Sequence, residues 1–353
     1  MPPVPKHGTV AVTGAAGFIA GWAVKQLLDK GYRVRACVRN PDDDTRVAFL
    51  KAMPGYASGR LTLHKADLDQ AGSFDAAFKG AHGVLHISHV SGYDDANYVR
   101  GVCEHLIAGI NASKTVSRVI VTSSIAAVMS EADIQELVRR PVICEDRWPD
   151  EQNPRRTAER GQGYSIGKLL AERVFAEAAR KDGGWDAIAC CPGDNVGPIL
   201  SAHQQTGGPW QSLIARMLTG EYPQTLVYRP WMTVDARDTA SAHIGLLESL
   251  SVKNGERYIA VSGDKRNAED VCASISRLLP ELNFAGATLT DPWSERIKAR
   301  EVEFRAIWAG TELRNDRIRA ATGVTFRPLD DSIRDCVESL IAIGKVEVKR
   351  RAS

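Results

Sequence analysis

Tyr164 and Lys168 stand four residues apart in Tyr164-Ser165-Ile166-Gly167-Lys168. On a helix that spacing puts a phenol and an ammonium on one face, one turn apart. A free tyrosine titrates near ~10, and a neighbouring positive charge favours its phenolate. Such a pair can give or take a proton at working pH. Alone it is a frequent accident of amphipathic helices. Thr122-Ser123-Ser124 supplies a second group about forty residues earlier, at the end of an apolar run. A hydroxyl there can hydrogen-bond a carbonyl oxygen. Ser124 takes that role, with Ser123 and Thr122 as neighbours, and Ser124, Tyr164 and Lys168 form the candidate catalytic set. The competing reading is that one of the serines only caps strand-end backbone.

A second constellation opens the chain. Thr13-Gly14-Ala15-Ala16-Gly17-Phe18-Ile19-Ala20 has the pattern G-x-x-G-x-x-A between a β-type run and a helical stretch. Gly14 permits a tight turn, Gly17 lets backbone approach a pyrophosphate, and Ala20 allows close helix–sheet packing. The helix N-terminus, at Phe18 and Ile19, offers N–H groups and a positive dipole end to phosphate. A tight strand–helix turn without a ligand is the alternative. The next strand end decides the dinucleotide. NAD-preferring sites present an acidic group there, whereas this chain has Arg39, with Arg46 shortly after. Guanidinium groups clamp a 2′-phosphate, so NADP(H) is the expected cofactor. Asp42, Asp43 and Asp44 are expected to face solvent. Asp67-Leu68 ends a third run, where the carboxylate serves adenine or a helix N-cap. Ile87-Ser88-His89 ends a fourth and would pass beneath the cofactor. His86 and His89 lack a third ligand nearby in sequence, so no metal is expected.

These groups need a scaffold that brings strand ends together. Apolar runs recur at 9–12, 33–38, 61–64, 83–87, 119–122, 187–191 and 257–261. Helical patterns lie around 18–30, 44–53, 73–79, 95–114, 163–180, 236–249, 267–279 and 330–343. Gly31 sits where a helix-ending glycine belongs. The alternation predicts an α/β fold, a Rossmann-type doubly wound parallel sheet with a smaller C-terminal substrate-binding subdomain. Residues 1–198, joined by 226–262, are expected to form the dinucleotide-binding domain. Residues 199–225 and 263–353 are expected to form the subdomain. The stretch 199–234, rich in Gly, Pro and Trp, resists assignment.

Composition sets outer bounds. The 353 residues are 44% hydrophobic and 25% charged, which excludes a disordered or collagen-like chain. A net charge of +2 argues against a broad nucleic-acid surface. Lys349-Arg350-Arg351 reads as a solvated tail. The seven cysteines include no CxxC pair, which suggests free thiols in a reducing compartment. The first residues lack a secretory pattern, and no apolar run reaches ~20 residues. A cytoplasmic protein without membrane or nucleic-acid partners, monomeric or homodimeric, is expected.

In order and spacing these motifs resemble the extended short-chain dehydrogenase/reductases. They look most like the branch of dihydroflavonol 4-reductase, cinnamoyl-CoA reductase and fungal ketone reductases. Further matches are Gly31-Tyr32-Arg33-Val34-Arg35-Ala36, Lys65-Ala66-Asp67-Leu68, Gly83-Val84-Leu85-His86, Val196-Gly197-Pro198 and Val234-Asp235-Ala236-Arg237-Asp238. The resemblance implies NADPH-dependent reduction of a small-molecule ketone or aldehyde. Tyr164 would protonate the nascent alkoxide, Lys168 would also hold the nicotinamide ribose, and Ser124 would orient the carbonyl. Arg39 and Arg46 would meet the 2′-phosphate, Asp67 and Leu68 the adenine, and Pro192, Gly193 and Asn195 the nicotinamide side. Met129 replaces an asparagine of dihydroflavonol reductases. Arg160-Gly161-Gln162-Gly163 replaces the Asn-Trp-Tyr-Cys signature of cinnamoyl-CoA reductases. Asp194 is either a substrate contact or a turn residue. Residues 125–129 with Trp210 and Trp231 are expected to line a pocket for bulky or aromatic carbonyls. A nucleotide-sugar epimerase or dehydratase and a non-catalytic NADP sensor are the alternatives.

Overall fold

A strand apolar at every position must be covered on both faces. Val10, Ala11 and Val12 are wholly buried in β1 (Thr9–Thr13). The chain continues through α1 (Phe18–Asp29), β2 (Arg33–Val38), α2 (Asp44–Lys51), α3 (Pro54–Ala57), β3 (Leu61–Lys65), α4 (Asp75–Phe78) and β4 (Gly83–His86). Next come α5 (Ala96–Ser113), β5 (Arg118–Thr122), the short β6 (Val142–Ile143), α6 (Gly163–Asp182), β7 (Asp186–Pro192) and β8 (Asp194–Val196). Then follow α7 (Pro209–Thr219), β9 (Trp231–Asp235), α8 (Ala236–Glu248), β10 (Arg257–Ala260), β11 (Lys265–Arg266) and α9 (Ala268–Leu278). The last elements are β12 (Glu312–Leu313), α10 (Asp316–Thr322) and α11 (Leu329–Ala342). This computed structural model describes residues 1–90, 92–151, 163–206, 209–219, 231–266, 268–280, 305–343 and 346–348.

Seven strands form one parallel sheet in the order β10-β7-β5-β4-β1-β2-β3. This is the doubly wound α/β arrangement expected from the alternation of runs. All seven strands therefore end on the same edge. From β1 the chain steps outward to β2 and β3, then returns to β4 on the other side of β1. The crevice at the ends of β1 and β4 is the point where strand order reverses. Side chains alternate between two cores. Val10, Val12, Val34, Ala36, Leu85 and Ile120 pack with Val24 and Leu27 of α1 and Ile244 of α8. Ala11, Cys37, Val84, Val119 and Val121 pack with Leu106 of α5 and Phe175 of α6.

Local chemistry sets the element ends. Gly31 has φ +86, and the N–H groups of Gly31 and Tyr32 return to Leu28 and Leu27 carbonyls, closing α1. The helix expected over 44–53 ends at Lys51, and a separate turn, α3, starts at Pro54. Met53 turns extended (φ −70, ψ 137) because Pro54, the first residue of α3, disfavours helix before it. The helix expected over 73–79 is the single turn α4. The unassigned stretch 199–234 contains α7 and most of β9. There Trp210 is wholly buried with Ile214, Val271 and Ile333, and Phe18 of α1 joins the same cluster. Residues 349–351 lie outside the described residues. Cys37, Cys103, Cys144, Cys190, Cys191 and Cys336 are buried free thiols. Among the described residues no helix is long and apolar enough to cross a membrane.

Two buried histidines tie the strand ends down. Thr13 Oγ1 accepts the N–H groups of Ile87 and Ser88, both at 3.1 Å. Its hydrogen is left for His86 Nδ1 at 2.9 Å. His243 on α8 donates from Nδ1 to the Thr239 carbonyl at 2.7 Å. Its Nε2 is thereby left to accept from Thr122 Oγ1 at 2.7 Å. Both rings are therefore held neutral. Burial, with the Lys168 charge nearby, pushes His86 down to about 3. Burial also pushes His243 down to about 4. An unfolded histidine titrates near ~6.5. Between that pH and about 4 the unfolded chain binds protons that the folded chain refuses, so stability rises with pH. Each ring contributes a slope of about 1.4 kcal/mol per pH unit there. Denaturant titrations across this window will show stability falling as pH falls. His243→Asn, which keeps a donor for Thr239, will remove one proton's worth of that slope. An unchanged slope in the variant would refute the assignment.

Candidate active site

The crevice between β1 and β4 is shaped by missing side chains. Gly14 has φ +64, and a β-carbon there would stand 3.0 Å from Ser88 Cα. Only glycine adopts that backbone at so close an approach without strain. Gly17 is exposed at the N-cap of α1, and no side chain caps the helix. The first N–H groups of α1, at Phe18 and Ile19, are thus not claimed by a side-chain cap. The Ala15 N–H reaches the Cys37 carbonyl at 3.1 Å and holds the turn on β2. Thr13 is buried with its hydroxyl spent on β4. The Phe18 ring lies in the core built by α7 and α11. Both can meet a ligand only through backbone.

Sequence reasoning missed a strap over this turn. His203 Nε2 donates to the Ala16 carbonyl at 2.7 Å. Gln204 Nε2 donates to the carbonyls of Ala16 and Gly17, each at 3.2 Å. The Gln204 carbonyl oxygen accepts the Leu200 N–H at 2.8 Å. A β-carbon on Gly21 would stand 3.2 Å from Gln204 Nε2. Trp22 Nε1 adds a bond to the Pro198 carbonyl at 2.8 Å. The only sequence trace was a glycine, Gly21, inside a helical pattern. Gln204→Leu takes the side-chain donor from the Gly17 carbonyl, one of two donors from the Ala16 carbonyl, and the acceptor from the Leu200 N–H. About 1–3 kcal/mol of stability should be lost, read as a lower denaturation midpoint; an unaltered midpoint would count against the strap.

The neighbouring strand ends carry the other cofactor candidates. Arg39 is exposed just beyond β2 and has no ion-pair partner among the described residues. Arg46 is exposed on α2, 4.0 Å from Asp43. Asp43 caps α2 through Thr45 N at 3.1 Å, and Asp44 pairs with Lys51 at 2.7 Å, while Asp42 is exposed. Asp67 is half-buried beyond β3, and its Oδ1 accepts the Asp69 N–H at 3.2 Å. That is a turn cap, which leaves the other carboxylate oxygen for a ligand. Leu68 is buried, and its carbonyl pairs with His105 Nδ1 at 2.9 Å. Ile87 and Ser88 are half-buried and His89 is exposed.

The chemical groups gather at the end of β5. Lys168 is buried on α6 and donates to the Thr122 carbonyl at 2.8 Å. Its ammonium lies 5.7 Å over the half-buried Tyr164 ring and 5.0 Å over the Tyr93 ring. Tyr93 was missed in the sequence. Its ring meets Tyr164 edge-on at 5.0 Å, and the His89 ring stacks on Tyr164 at 6.2 Å. Burial pushes the Tyr93 phenol up, so Tyr93 keeps its proton. A β-carbon on Gly167 would stand 2.7 Å from the Tyr93 carbonyl, so that glycine admits the loop against α6. Ser124 Oγ accepts the Ala126 N–H at 3.1 Å, capping the turn that follows. Ser123 Oγ donates to Glu172. Both serines thus have structural partners, but the Ser124 hydrogen is uncommitted by its bond to Ala126.

Other expectations change. Ile125, Ala127, Val128 and Met129 are buried, and Trp210 is a core residue. Ile125, Val128 and Met129 pack with Ile143, Met232 and Ile259, and Trp210 packs with Ile214 and Val271. The Trp231 side chain and residues 160–162 lie outside the described residues. Pro192 ends β7 buried. A β-carbon on Gly193 would stand 1.9 Å from the Met232 carbonyl, which explains glycine at that position. Asn195 Oδ1 accepts Thr239 Oγ1 at 2.6 Å and its Nδ2 donates to the Gly193 carbonyl at 3.0 Å. Among the described residues no group of three or more His, Cys, Asp or Glu could hold a metal ion.

Known proteins are similar to this chain in sequence and in fold. Residues 10–260 match the NAD dependent epimerase/dehydratase family. A dihydroflavonol 4-reductase of Callistephus chinensis is 35% identical over 263 residues, 72% of this chain and 69% of that protein. Cinnamoyl-CoA reductase 2 of Medicago truncatula is 32% identical over 344 residues, 96% of this chain and 93% of that protein. The crystal structure of vestitone reductase from alfalfa superposes with a TM-score of 0.72 at 26% identity, covering 96% and 99% of the two chains. A yeast methylglyoxal/isovaleraldehyde reductase in complex with NADPH shares the fold, with a TM-score of 0.74 at 21% identity over 95% and 98%. The chain belongs to the NAD dependent epimerase/dehydratase family, the extended short-chain dehydrogenase/reductases, and is an oxidoreductase of that family.

Proposed function

We propose that the chain reduces a ketone or aldehyde of bulky or aromatic frame to an alcohol with NADPH, and that Tyr164 gives the proton. One observation carries this reading. Lys168 and Ser124 meet the end of β5, and Tyr164 precedes Lys168 by one turn beside the crevice of β1 and β4. The crevice fits a dinucleotide, since a β-carbon at Gly14 would fill it and the α1 N-terminus carries no side-chain cap. Its backbone at Gly14, Ala16, Gly17, Phe18 and Ile19 would hold the pyrophosphate. Arg39 and Arg46 would hold the 2′-phosphate, and Asp67 with Leu68 the adenine side. Ile87, Ser88 and His89 would line the floor, and Pro192, Gly193 and Asn195 the nicotinamide side. NADPH, when bound, supplies the hydride.

The chain's own groups handle the oxygen. Ser124 donates its free hydrogen to the carbonyl oxygen and aims it at Tyr164. Tyr164 gives its phenolic proton to that oxygen as negative charge builds on it. Lys168, lying over the ring, favours the phenolate left behind. Relatives named dihydroflavonol 4-reductase and cinnamoyl-CoA reductase support carbonyl reduction. The His89 and Tyr93 rings flanking Tyr164 support an aromatic substrate.

A panel of aryl ketones and aldehydes with NADPH and NADH tests the reading. Tyr164→Phe should lower kcat on the order of 10²-fold or more, with NADPH affinity by fluorescence titration within about twofold of wild type. Full activity of that variant on every carbonyl would remove Tyr164 as the acid. Arg39→Asp should cut the preference for NADPH over NADH at least about tenfold, since an acidic group repels the 2′-phosphate. Protein purified with NAD bound and active on nucleotide sugars would favour an epimerase instead.

A further inference from the structure

Behind Ser124 lies an ion pair almost closed to water. Glu172 and Arg257 meet at 2.9 Å with side chains 7% and 3% exposed. Glu172 stands one turn beyond Lys168 on α6. Its Oε1 accepts from Ser123 Oγ and from Arg257 Nη2, and Cys191 Sγ of β7 lies 3.7 Å away. Arg257, on the edge strand β10, reaches the Ala127 carbonyl at 3.0 Å and the Arg147 carbonyl at 3.2 Å. Its guanidinium lies 4.3 Å over the Trp148 ring.

The pair therefore grips the chain on both sides of Ser124, through the Ser123 hydroxyl and the Ala127 carbonyl. Ser123 precedes it, and Ala127 ends the turn that Ser124 caps. The other end of the grip is the helix that carries Tyr164 and Lys168. A buried ion pair is a poor stability device, because apolar residues of similar volume often replace one without loss. It is, however, directional. It ties α6, the edge strand β10 and the turn after β5 together at one serine, beside the Lys168 bond to the Thr122 carbonyl and the bond from the Ser123 N–H to the Cys190 carbonyl.

We propose that Glu172 and Arg257 are positioning residues that set the Ser124 hydroxyl against Tyr164, and that they act on turnover through Ser124. This rests on the role proposed above for Ser124. Two variants separate the effects. E172L/R257M removes both charges together and leaves no unpaired buried charge. Ser123→Ala removes one hydroxyl and carries the test if the double variant does not fold. With 2-naphthaldehyde and NADPH, E172L/R257M should lose on the order of 10- to 100-fold in kcat. Its KM and NADPH affinity should stay within about twofold and its melting temperature within a few degrees. Ser123→Ala should shift kcat in the same direction by less. In a Ser124→Ala background neither change should cost more than about twofold further, whereas a merely structural role would cost as much as before. A crystal structure of Ser123→Ala reads the geometry without turnover and should show the 3.1 Å bond between Ser124 Oγ and Ala126 N displaced. Undiminished kcat in both variants, full additivity with Ser124→Ala, or an undisturbed Ser124 would overturn the proposal. Wild-type kcat in Ser124→Ala itself would instead overturn the role of Ser124.

Discussion

A buried ammonium must direct its protons at oxygen or at aromatic faces, since burying it unpaired would cost several kcal/mol. Lys168 meets that demand with the Thr122 carbonyl at 2.8 Å and the rings of Tyr93 and Tyr164. That constraint locks α6 onto the end of β5. It places Tyr164 one turn away, at the edge where the parallel strands end. It also demands a cover, which the Tyr93 loop supplies, and the loop can lie there only because residue 167 is glycine. The same charge helps to keep His86 and His243 neutral. Those rings in turn hold the hydroxyls of Thr13 and Thr122.

The other half of the site is built from restraint on backbone. The carbonyls of the turn after β1 are held from a distant part of the chain. His203 and Gln204, about 190 residues downstream, occupy them. The segment that leads to α7 therefore touches the Gly14–Gly17 turn directly. Phe18 deepens the link, since its ring enters the core of α7 and α11 while its N–H stays at the crevice. Closing the sheet against its second cluster and shaping the Gly14–Gly17 turn are one packing event.

Legibility in sequence followed the range of the interactions. The Gly14–Gly17 turn, the end of β2 at Arg39 and the Tyr164–Lys168 pair could be read because each is local, set by a turn, a strand end or one helical step. The seven strands could be read because both-sided burial leaves unbroken apolar runs. Trp210 could not be placed correctly. An indole suits a pocket wall and a core equally, and only the packing of Ile214, Val271 and Ile333 around it selects the core. Tyr93 gave no signal and Gln204 only the glycine at position 21 that faces it, because their partners lie far away in the chain.

What the sequence determined by itself was the doubly wound sheet, the edge on which its chemistry must lie, and the candidate proton donor with its ammonium. Period, turn chemistry and spacing are properties of neighbouring residues. Tertiary structure alone decided which serine keeps a free hydrogen, since Ser123 is drawn to Glu172 while Ser124 only accepts from Ala126. It likewise decided that Asp67 caps its own turn and that the residues after Ser124 fill a core. These outcomes depend on what stands across the fold, and adjacency in the chain carries no record of it.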